Sequence, residues 1–362
     1  MLALMRTVLA AVVISALWAA TLHLFFRVEP SELVTPLTEA LRVAPRAPLN
    51  RSNPEWDLMA RTFTVLAFVR QATTRPDLLA DVDVILDETL VMDAARPDAF
   101  VMPYFHDKKF VDANTTSLFV DGEIALMLAA RLRAGDVARF REPLRTRIAR
   151  LTAAMQRGPM LSAESYPDEA WTYCNTVALA ATRLADEVDG TDHSALRRAW
   201  VEHAKRHLVD AKSGLLISSF TWRGEALDGP EGSTLFLAAH MLQLIDADFA
   251  KQQYDLAKAQ LGGRLFGFGW SAEWPKTWKS SDDIDSGPTI PIVDANAGAS
   301  GLALVGAAAF GDDEWLRELM TSLRFAAFPI TKNGRLRFAA GNTLADAVLL
   351  YAAVLSTEGA AS

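Results

Sequence analysis

The sequence has one cysteine, Cys174, in 362 residues, and it has no block of basic residues. A single cysteine excludes an intrachain disulfide. The 36 Lys and Arg residues are outnumbered by 44 Asp and Glu residues, which gives a formal net charge of −8 at neutral pH. Because nucleic-acid binding depends on clustered positive charge, we expect no nucleic-acid partner.

Several common motifs of cofactor and metal chemistry are also missing. The sequence contains no P-loop, no glycine-rich dinucleotide fingerprint and no Gly-x-Ser-x-Gly elbow. Nucleotide cofactors and ordinary serine-hydrolase chemistry are therefore disfavoured. His203 and His207 share a helix face, but the Glu of a zinc-protease motif does not lie between them. The sequence predicts neither a cofactor nor a metal ion.

Formal charge is absent from one long stretch near the amino terminus. Residues 7–26, TVLAAVVISALWAATLHLFF, are long enough to cross a bilayer as a helix. Their small-residue cleavage signal is poor, so we interpret residues 1–27 as an uncleaved membrane anchor rather than a cleaved signal peptide. Arg6 and the free amine favour an inside amino terminus, which predicts a membrane-anchored body in the periplasm or elsewhere outside the cytoplasm.

The rest of the chain has helical periodicity with alternating hydrophobicity. Residues 28–52 contain four prolines around one amphipathic stretch, and we interpret them as a linker with a short helix. Six apolar helical stretches then begin near positions 53, 116, 165, 228, 294 and 341, each after polar or glycine-rich residues. Five amphipathic stretches lie between them, and the helix before residue 45 brings the number to twelve.

This alternation is explained by two concentric rings of helices. The inner helices are buried on both faces, and the outer helices have one solvent-exposed face. We therefore predict an all-α fold, an (α/α)6 toroid over residues 53–358. Short hairpins are expected in the connections, within GLLISSFTWRG, RLFGFGW and GRLRFAA. In such a toroid the six inner helices begin at the same end of the ring, and this is where we expect a site.

The third of these helix starts, SYPDEAWTYCN at residues 165–175, is the most crowded with reactive side chains. Ser165 and Asp168 have capping-box spacing, which predicts a helix start. In a helix that begins there, Asp168, Trp171 and Asn175 lie on one face. Two interpretations stay open, a pocket wall and a plain capped helix. Capping alone leaves several side chains unexplained, namely Tyr166, Glu169, Trp171, Tyr173, Cys174 and Asn175.

Three further stretches carry candidate binding residues. In DGPEGS, Asp228 and Glu231 again have capping-box spacing. In SSDDIDSGP, Asp285 is the preferred candidate for a carboxylate that reaches the mouth of the ring, the alternative being a solvated acidic loop. Trp274 is one of several tryptophans in the connections between helices. Its indole is a candidate for stacking on a sugar or an apolar ligand, and the alternative is a core residue that fills the end of the toroid.

Two candidates for proton transfer precede them in the chain. His106, beside an acid in YFHDKKF, suits general acid or base work near neutral pH, although loop histidines are often only surface residues. Asp121 and Glu123 lie on an otherwise apolar helix. Burial there requires either partners or a raised pKa, which makes Glu123 a candidate catalytic group.

With YPDEAWTYCN, DGPEGS, DIDSGP and the six helix starts, the chain resembles the linalool dehydratase/isomerase family of bacterial (α/α)6 barrels. The resemblance covers most of the chain after residue 50. It implies dehydration or isomerisation of a tertiary allylic terpenol without a cofactor, by acids, tyrosines and two cysteines in an apolar pocket. Cys174 matches the second family cysteine, whereas Ser165 stands where the first is expected.

The resemblance also implies export, and it makes a homo-oligomer with its pocket near a subunit interface one expectation. In the leading hypothesis the substrate is a small apolar alcohol or alkene. Asp168 or Glu169 protonates the departing hydroxyl, and Tyr173 and Cys174 orient it. His106 or Glu123 then removes the proton that creates the alkene. The alternatives are a glycoside hydrolase or polysaccharide lyase, and a non-catalytic scaffold of the cell envelope.

Overall fold

The computed structural model describes residues 1–44, 47–278 and 286–359. Most of these residues are helical, and the strands are short. The helices are α1 (Leu2–Thr21), α2 (Pro30–Leu41), α3 (Ala47–Ser52), α4 (Pro54–Gln71), α5 (Leu78–Ala95), α6 (Leu118–Arg133), α7 (Ala138–Arg157), α8 (Thr172–Asp189), α9 (Ser194–His207), α10 (Gly232–Leu242), α11 (Ala247–Leu261), α12 (Ala297–Ala309), α13 (Asp313–Ala326) and α14 (Thr343–Gly359). The strands are β1 (Ala170–Trp171), β2 (Ser219–Phe220), β3 (Ala226–Asp228), β4 (Gly262–Leu265), β5 (Phe268–Ser271), β6 (Thr289–Ile290), β7 (Ala295–Asn296), β8 (Pro329–Lys332) and β9 (Arg335–Phe338).

Six helices form a closed inner ring. Helices α4, α6, α8, α10, α12 and α14 each pack against the next, and α14 packs back on α4. Outside them, α5, α7, α11 and α13 each pack on the preceding inner helix, and α2 packs on α14. On α9, the guanidinium of Arg197 donates to Asp186 of α8 at 2.7 Å. The predicted (α/α)6 toroid is confirmed, and its six inner helices are those predicted from the six polar starts.

Helix burial follows the predicted alternation. Every residue of α6 from Leu118 to Leu132 is buried, whereas α13 buries only one stripe. At Gly122 an added Cβ would lie 3.5 Å from the backbone of Ala178, an ordinary contact distance, so this position faces α8. An inner helix therefore has apolar residues all round, and an outer helix needs them on one face only.

Short sheets occupy the connections at the ends of the helices. Strands β1, β2 and β3 form one antiparallel sheet, β4, β5, β7 and β6 form a second, and β8 pairs with β9. The predicted hairpins at RLFGFGW and GRLRFAA are β4–β5 and β8–β9, and the predicted strand in GLLISSFTWRG is β2.

The two predicted capping boxes are wrong. Helix α8 begins at Thr172 rather than near Ser165, because Ala170 and Trp171 pair with Phe220 and Ser219 as strand β1. Helix α10 likewise begins at Gly232, with Glu231 rather than Asp228 at the capping position. In both segments a strand of the β1–β2–β3 sheet precedes the helix, so helical spacing does not relate the side chains before the helix start.

Among the described residues one helix is long and apolar enough to cross a membrane. It covers Ala3–Phe25 and is not buried against the rest of the protein. Length and composition alone would also suit a signal sequence at this position. The helix predicted in residues 28–52 is α2, which contributes the outer partner of α14.

Candidate active site

A cavity of about 1000 Å³ opens where the inner helices begin. All six inner helices contribute residues from their capping positions or first turns, which confirms the expected convergence of the helix starts. Representative lining residues are Glu55 and Trp56 of α4, Phe119 of α6, Tyr173 and Cys174 of α8, Glu231 and Thr234 beside α10, Asn296 beside α12 and Asp346 of α14.

Negative charge and aromatic rings dominate the polar chemistry of the cavity. Among the described residues five carboxyl groups line it, those of Glu55, Glu169, Asp228, Glu231 and Asp346. No Lys, Arg or His side chain lines it in the parts of the chain that the structure describes. Anions would meet repulsion there, whereas carboxylates and aromatic faces stabilise positive charge. The cavity therefore suits a neutral ligand or one that becomes cationic.

One acid with a strongly raised pKa, Glu123, lies behind the cavity wall. The Tyr173 hydroxyl donates to Glu123 Oε1 at 2.7 Å, and the Tyr173 ring lines the cavity. Burial raises the pKa of Glu123 to about 7, against opposing hydrogen bonds from Thr62 and Tyr173. Burial also raises the pKa of Tyr173 well above its usual range. Glu123 is thus poised to hold or release a proton near neutral pH, and Tyr173 connects it to the cavity.

Cys174 lies next to this pair on the cavity wall. Its thiol is 4% exposed, and burial raises its pKa, while a hydrogen bond with Ser165 opposes the rise. The side chain is therefore a thiol at neutral pH, a weak proton donor rather than a nucleophilic thiolate. The structure thus places Cys174 in contact with Ser165, the residue nine positions earlier in the chain.

Tyr166 completes this polar wall. Its ring stacks on Phe105 with centroids 4.6 Å apart, and both rings line the cavity. Burial raises the pKa of Tyr166, and a hydrogen bond with Glu55 adds to the rise. Tyr166 is therefore a neutral hydroxyl on the cavity surface, where we expected a binding residue.

Glu169 and Trp171 lie on the cavity wall at a less buried level. Trp171 Nε1 donates to Glu169 Oε2 at 3.4 Å, and the Glu169 side chain is half-buried. Burial raises the pKa of Glu169, and the nearby Lys108 ammonium opposes the rise. The indole hydrogen bond fixes the direction of this carboxylate.

Asp228 and Glu231 also reach the cavity. The Ser219 hydroxyl donates to Asp228 Oδ2 at 2.5 Å, and the Thr234 hydroxyl donates to Glu231 Oε2 at 3.3 Å. The sequence interpretation of DGPEGS as a cavity segment thus agrees with the geometry, although its helical spacing does not.

Asp168 and His106 lie outside the cavity lining. Asp168 has a φ of 60° in an exposed turn, and its Oδ1 accepts from the backbone N–H of Trp222 at 3.2 Å. The His106 ring lies 3.2 Å from Asp98 Oδ2 and 3.1 Å from the Val101 carbonyl. The β1 pairing turns Asp168 outward, and the loop contacts hold His106 aside, so neither is placed to act on a ligand in the cavity.

Two of the expected binding residues also lie elsewhere, and one falls outside the described residues. Asn175 is fully buried, accepts from the Ala163 N–H at 3.0 Å and donates to the Trp171 carbonyl at 2.9 Å. Trp274 does not line the cavity, and Trp270 of β5 lines it instead. Asp285 lies outside the residues that the structure describes.

We expect Asn175→Ala to weaken folding while leaving the cavity chemistry intact. The substitution removes a buried amide and leaves the Ala163 N–H unpaired, which costs about 1–3 kcal/mol of unfolding free energy. Chemical denaturation of parent and variant measures this loss. A loss of ligand binding in a variant of unchanged stability would contradict the structural role.

The sequence interpretation missed Glu55 and Asp346. Glu55 lies in the first turn of α4 after the capping residue Asn53, and Asp346 lies in the first turn of α14. Burial raises the pKa of Asp346 to about 7, while the nearby Arg337 opposes the rise. The signal was available, because both acids follow polar starts of the kind that marked the other inner helices.

The fold is similar to those of two solved carbohydrate-active enzymes. One is an unsaturated glucuronyl hydrolase from Bacillus sp. GL1, with a TM-score of 0.52, 12% identity and coverage of 82% of this chain and 86% of that one. The other is an α-mannanase from Bacteroides thetaiotaomicron, with a TM-score of 0.45, 11% identity and coverage of 84% and 87%. At such identities the likeness to the hydrolase shows a shared fold and carries no information on substrate.

Sequence comparison identifies the family directly. The model of the linalool dehydratase/isomerase family matches residues 121–344, more than half of the chain. The match begins on α6 beside Glu123 and ends at the first turn of α14, so it includes the polar wall formed by Tyr166, Tyr173 and Cys174. The chain belongs to the linalool dehydratase/isomerase family.

Proposed function

We propose that the protein is a cofactor-independent lyase or isomerase. Its substrate is a small, largely apolar alcohol or alkene of the terpenoid type. The observation that carries the proposal is the Glu123–Tyr173 pair, with a titratable carboxyl of pKa about 7 connected to the cavity through a tyrosine hydroxyl. Dehydration of a tertiary alcohol needs a proton donor for the leaving hydroxyl and an environment that tolerates a carbocation. The cavity offers both.

The first step is protonation of the leaving group. Tyr173 gives its proton to the substrate hydroxyl while protonated Glu123 replaces it, so the carbon–oxygen bond breaks and water leaves. The Cys174 thiol orients the same hydroxyl. The carboxylates and aromatic faces of the cavity stabilise the resulting cation.

The second step removes a proton from the carbon next to the cation. Glu169 is the base in this scheme, because it lines the cavity, is half-buried and has its direction fixed by Trp171. The proton that Glu169 accepts returns to solvent through the mouth of the cavity. Glu123 takes up a proton again, so the reaction consumes no net proton. Re-addition of water at another carbon would give an isomeric alcohol by the same groups.

We also propose that α1 is retained as a membrane anchor and that the body lies outside the cytoplasm. The support is the length and exposure of the apolar helix at Ala3–Phe25. A small-molecule substrate is the expected partner, and whether copies of the chain associate stays a prediction.

The test is a gas-chromatographic turnover assay of the full chain on tertiary allylic alcohols and the corresponding alkenes. Two adjacent acids give a matched pair of variants. Glu169→Gln removes the proposed base, and we expect kcat/KM to fall at least about 100-fold. Asp168→Asn changes an acid outside the cavity, and we expect kcat/KM to stay within about twofold of the parent. No product from a folded parent, or equal losses in both variants, would contradict the proposal.

A second candidate is a carbohydrate-processing enzyme for neutral sugars. The observation in its favour is the set of five carboxyl groups together with Trp56, Trp171 and Trp270 in one cavity. Paired carboxyls flanking a glycosidic bond perform hydrolysis, and indole rings stack on sugars. Acidic sugars fit poorly, because no cation lines the described part of the cavity. Release of reducing ends from neutral oligosaccharides, with no alkene formed from allylic alcohols, would favour this candidate.

A further inference from the structure

The amino-terminal helix is fixed to the toroid where it ends. The rings of Phe26 and Phe325 pack edge to face with centroids 5.1 Å apart. One residue earlier on α13, the guanidinium of Arg324 donates to the carbonyl of Arg27 at 3.0 Å. The end of the apolar segment is therefore held against the carboxyl end of α13.

The β4–β5 hairpin contacts the same segment. The His23 ring packs against Phe268 with centroids 6.5 Å apart, and Phe268 packs against Phe325 at 5.5 Å. At Gly267 an added Cβ would lie 2.5 Å from the His23 ring, so only glycine permits this approach. The hairpin and α13 together form the surface from which α1 leaves the toroid.

Large apolar side chains next to these contacts in the chain are exposed. We call them the apolar patch, and their side chains are between 49% and 65% exposed. They come from the tip of the β4–β5 hairpin, the end of α13 and the start of β8. The patch consists of Leu265, Phe266, Phe325, Phe328 and Ile330. Exposed apolar clusters of this kind mark contact surfaces for proteins or membranes.

Two members of the apolar patch are held in unfavourable backbone conformations. Phe266 has a φ of 48° and Phe328 has a φ of 53°. A bulky residue in the left-handed region costs of order 1–3 kcal/mol, whereas glycine or asparagine adopts it readily. Because both rings are exposed, burial inside the protein does not offset this strain. An apolar environment outside the protein would offset it.

The apolar patch adjoins the mouth of the cavity and a cluster of positive charge. Leu323, Ala326 and Ala327, beside Phe325 and Phe328 in the chain, line the cavity. The β8–β9 hairpin that follows carries three exposed cations, Lys332, Arg335 and Arg337. Aromatic side chains beside Lys and Arg are the pattern of a surface that binds the interface of an anionic bilayer.

We propose that the apolar patch inserts into the interface of the same bilayer that α1 enters, with the β8–β9 cations at the lipid headgroups. The mouth of the cavity then lies at the membrane surface, and an apolar ligand reaches it from the lipid rather than from water. This inference rests on the proposed retention of α1 and is independent of the proposed chemistry.

The full chain, reconstituted into nanodiscs of neutral and anionic phospholipid, tests the proposal by spin labelling. Because the native Cys174 lines the cavity, a nitroxide is attached at Phe266→Cys or Phe328→Cys in a chain that also carries Cys174→Ser. We expect both labels about 5–10 Å below the lipid phosphates, with high accessibility to oxygen and low accessibility to a nickel chelate. Glu202→Cys, on exposed α9, is the matched control and should be accessible to the nickel chelate.

The mass of the chain isolated from membranes is measured first, because it reports on the anchor alone. A mass that lacks the apolar segment overturns the proposal and the retention of α1 together. If α1 is present but the labels at positions 266 and 328 are as accessible to the nickel chelate as the label at position 202, the apolar patch faces water and the proposal is wrong. If both labels are shielded from oxygen and from nickel, a protein surface covers the patch, and the bilayer is again excluded.

Discussion

Replacing Glu123 by glutamine is expected to lower kcat by about 10²-fold to 10⁴-fold relative to the parent protein, the usual contribution of a general acid or base. Glutamine keeps the shape of the side chain and a hydrogen-bond acceptor for Tyr173, but it neither stores nor releases a proton. The same variant should be more stable than the parent at alkaline pH. Steady-state turnover and denaturation at several pH values measure both effects.

The sign of the stability change follows from the raised pKa. Glu123 has a pKa of about 7 when folded and an ordinary value of 4.5 when unfolded. Between these values the unfolded chain releases a proton that the folded chain keeps, so the stability of the parent falls as pH rises and levels off above pH 7. Glutamine does not titrate, so the variant gains up to about 3 kcal/mol over the parent at pH 8 and little at pH 4.

Two controls separate catalysis from packing. Tyr173→Phe keeps the ring in the cavity wall but removes the hydroxyl between Glu123 and the substrate, so it should lose turnover to a similar degree. Glu202→Gln changes an exposed acid and should alter neither turnover nor the pH dependence of stability. A stability difference for Glu123→Gln that is the same at pH 4 and pH 8 would show that the carboxyl does not titrate as described.

Replacing Asp121 by asparagine is expected to have the opposite effect on stability, although this acid lies only two residues away on α6. Asp121 is 3% exposed, its Oδ1 accepts from Arg147 at 2.6 Å and from Arg150, and its Oδ2 accepts from Thr116 at 2.6 Å. Removing its charge leaves the buried Arg147 with a single carboxylate, that of Asp93. Breaking a buried ion pair in this way costs about 3–5 kcal/mol.

Urea denaturation at pH 8 compares Asp121→Asn with the parent. Asp136→Asn is the matched control, because Asp136 pairs with Arg141 on the exposed surface and the loss should not exceed about 1 kcal/mol. If Asp121→Asn costs no more than this control, the cluster around Arg147 does not stabilise α6 against α7.

These two acids show what hydrophobic patterning predicts and where it stops. A helix with apolar residues all round and two acids must bury both, and the sequence therefore predicted that each needs partners or a raised pKa. Arg147 and Arg150 come from α7, a separate helix, so nothing near Asp121 in the chain shows that it is the paired one. The pattern placed both residues correctly and left their chemistry open.

The same limit explains the errors at the third helix start. The spacing of Ser165, Asp168 and Glu169 is that of a helix start. Ala170, however, pairs with Phe220, fifty residues later, and Asp168 lies in the turn before that strand. Local propensity does not report such a distant partner. The helical position predicted for Tyr173 and Cys174 is confirmed, because both lie after the true start of α8 at Thr172.

The closure of the inner ring by α14 against α4 makes the last inner helix a structural requirement for the first inner helix. Glu55 enters the cavity wall from α4 and Asp346 from α14, on helices that meet only after nearly three hundred intervening residues have been synthesised. Contacts of such long sequence separation form late in folding. A growing chain therefore has no finished cavity until α14 has been synthesised and packs on α4.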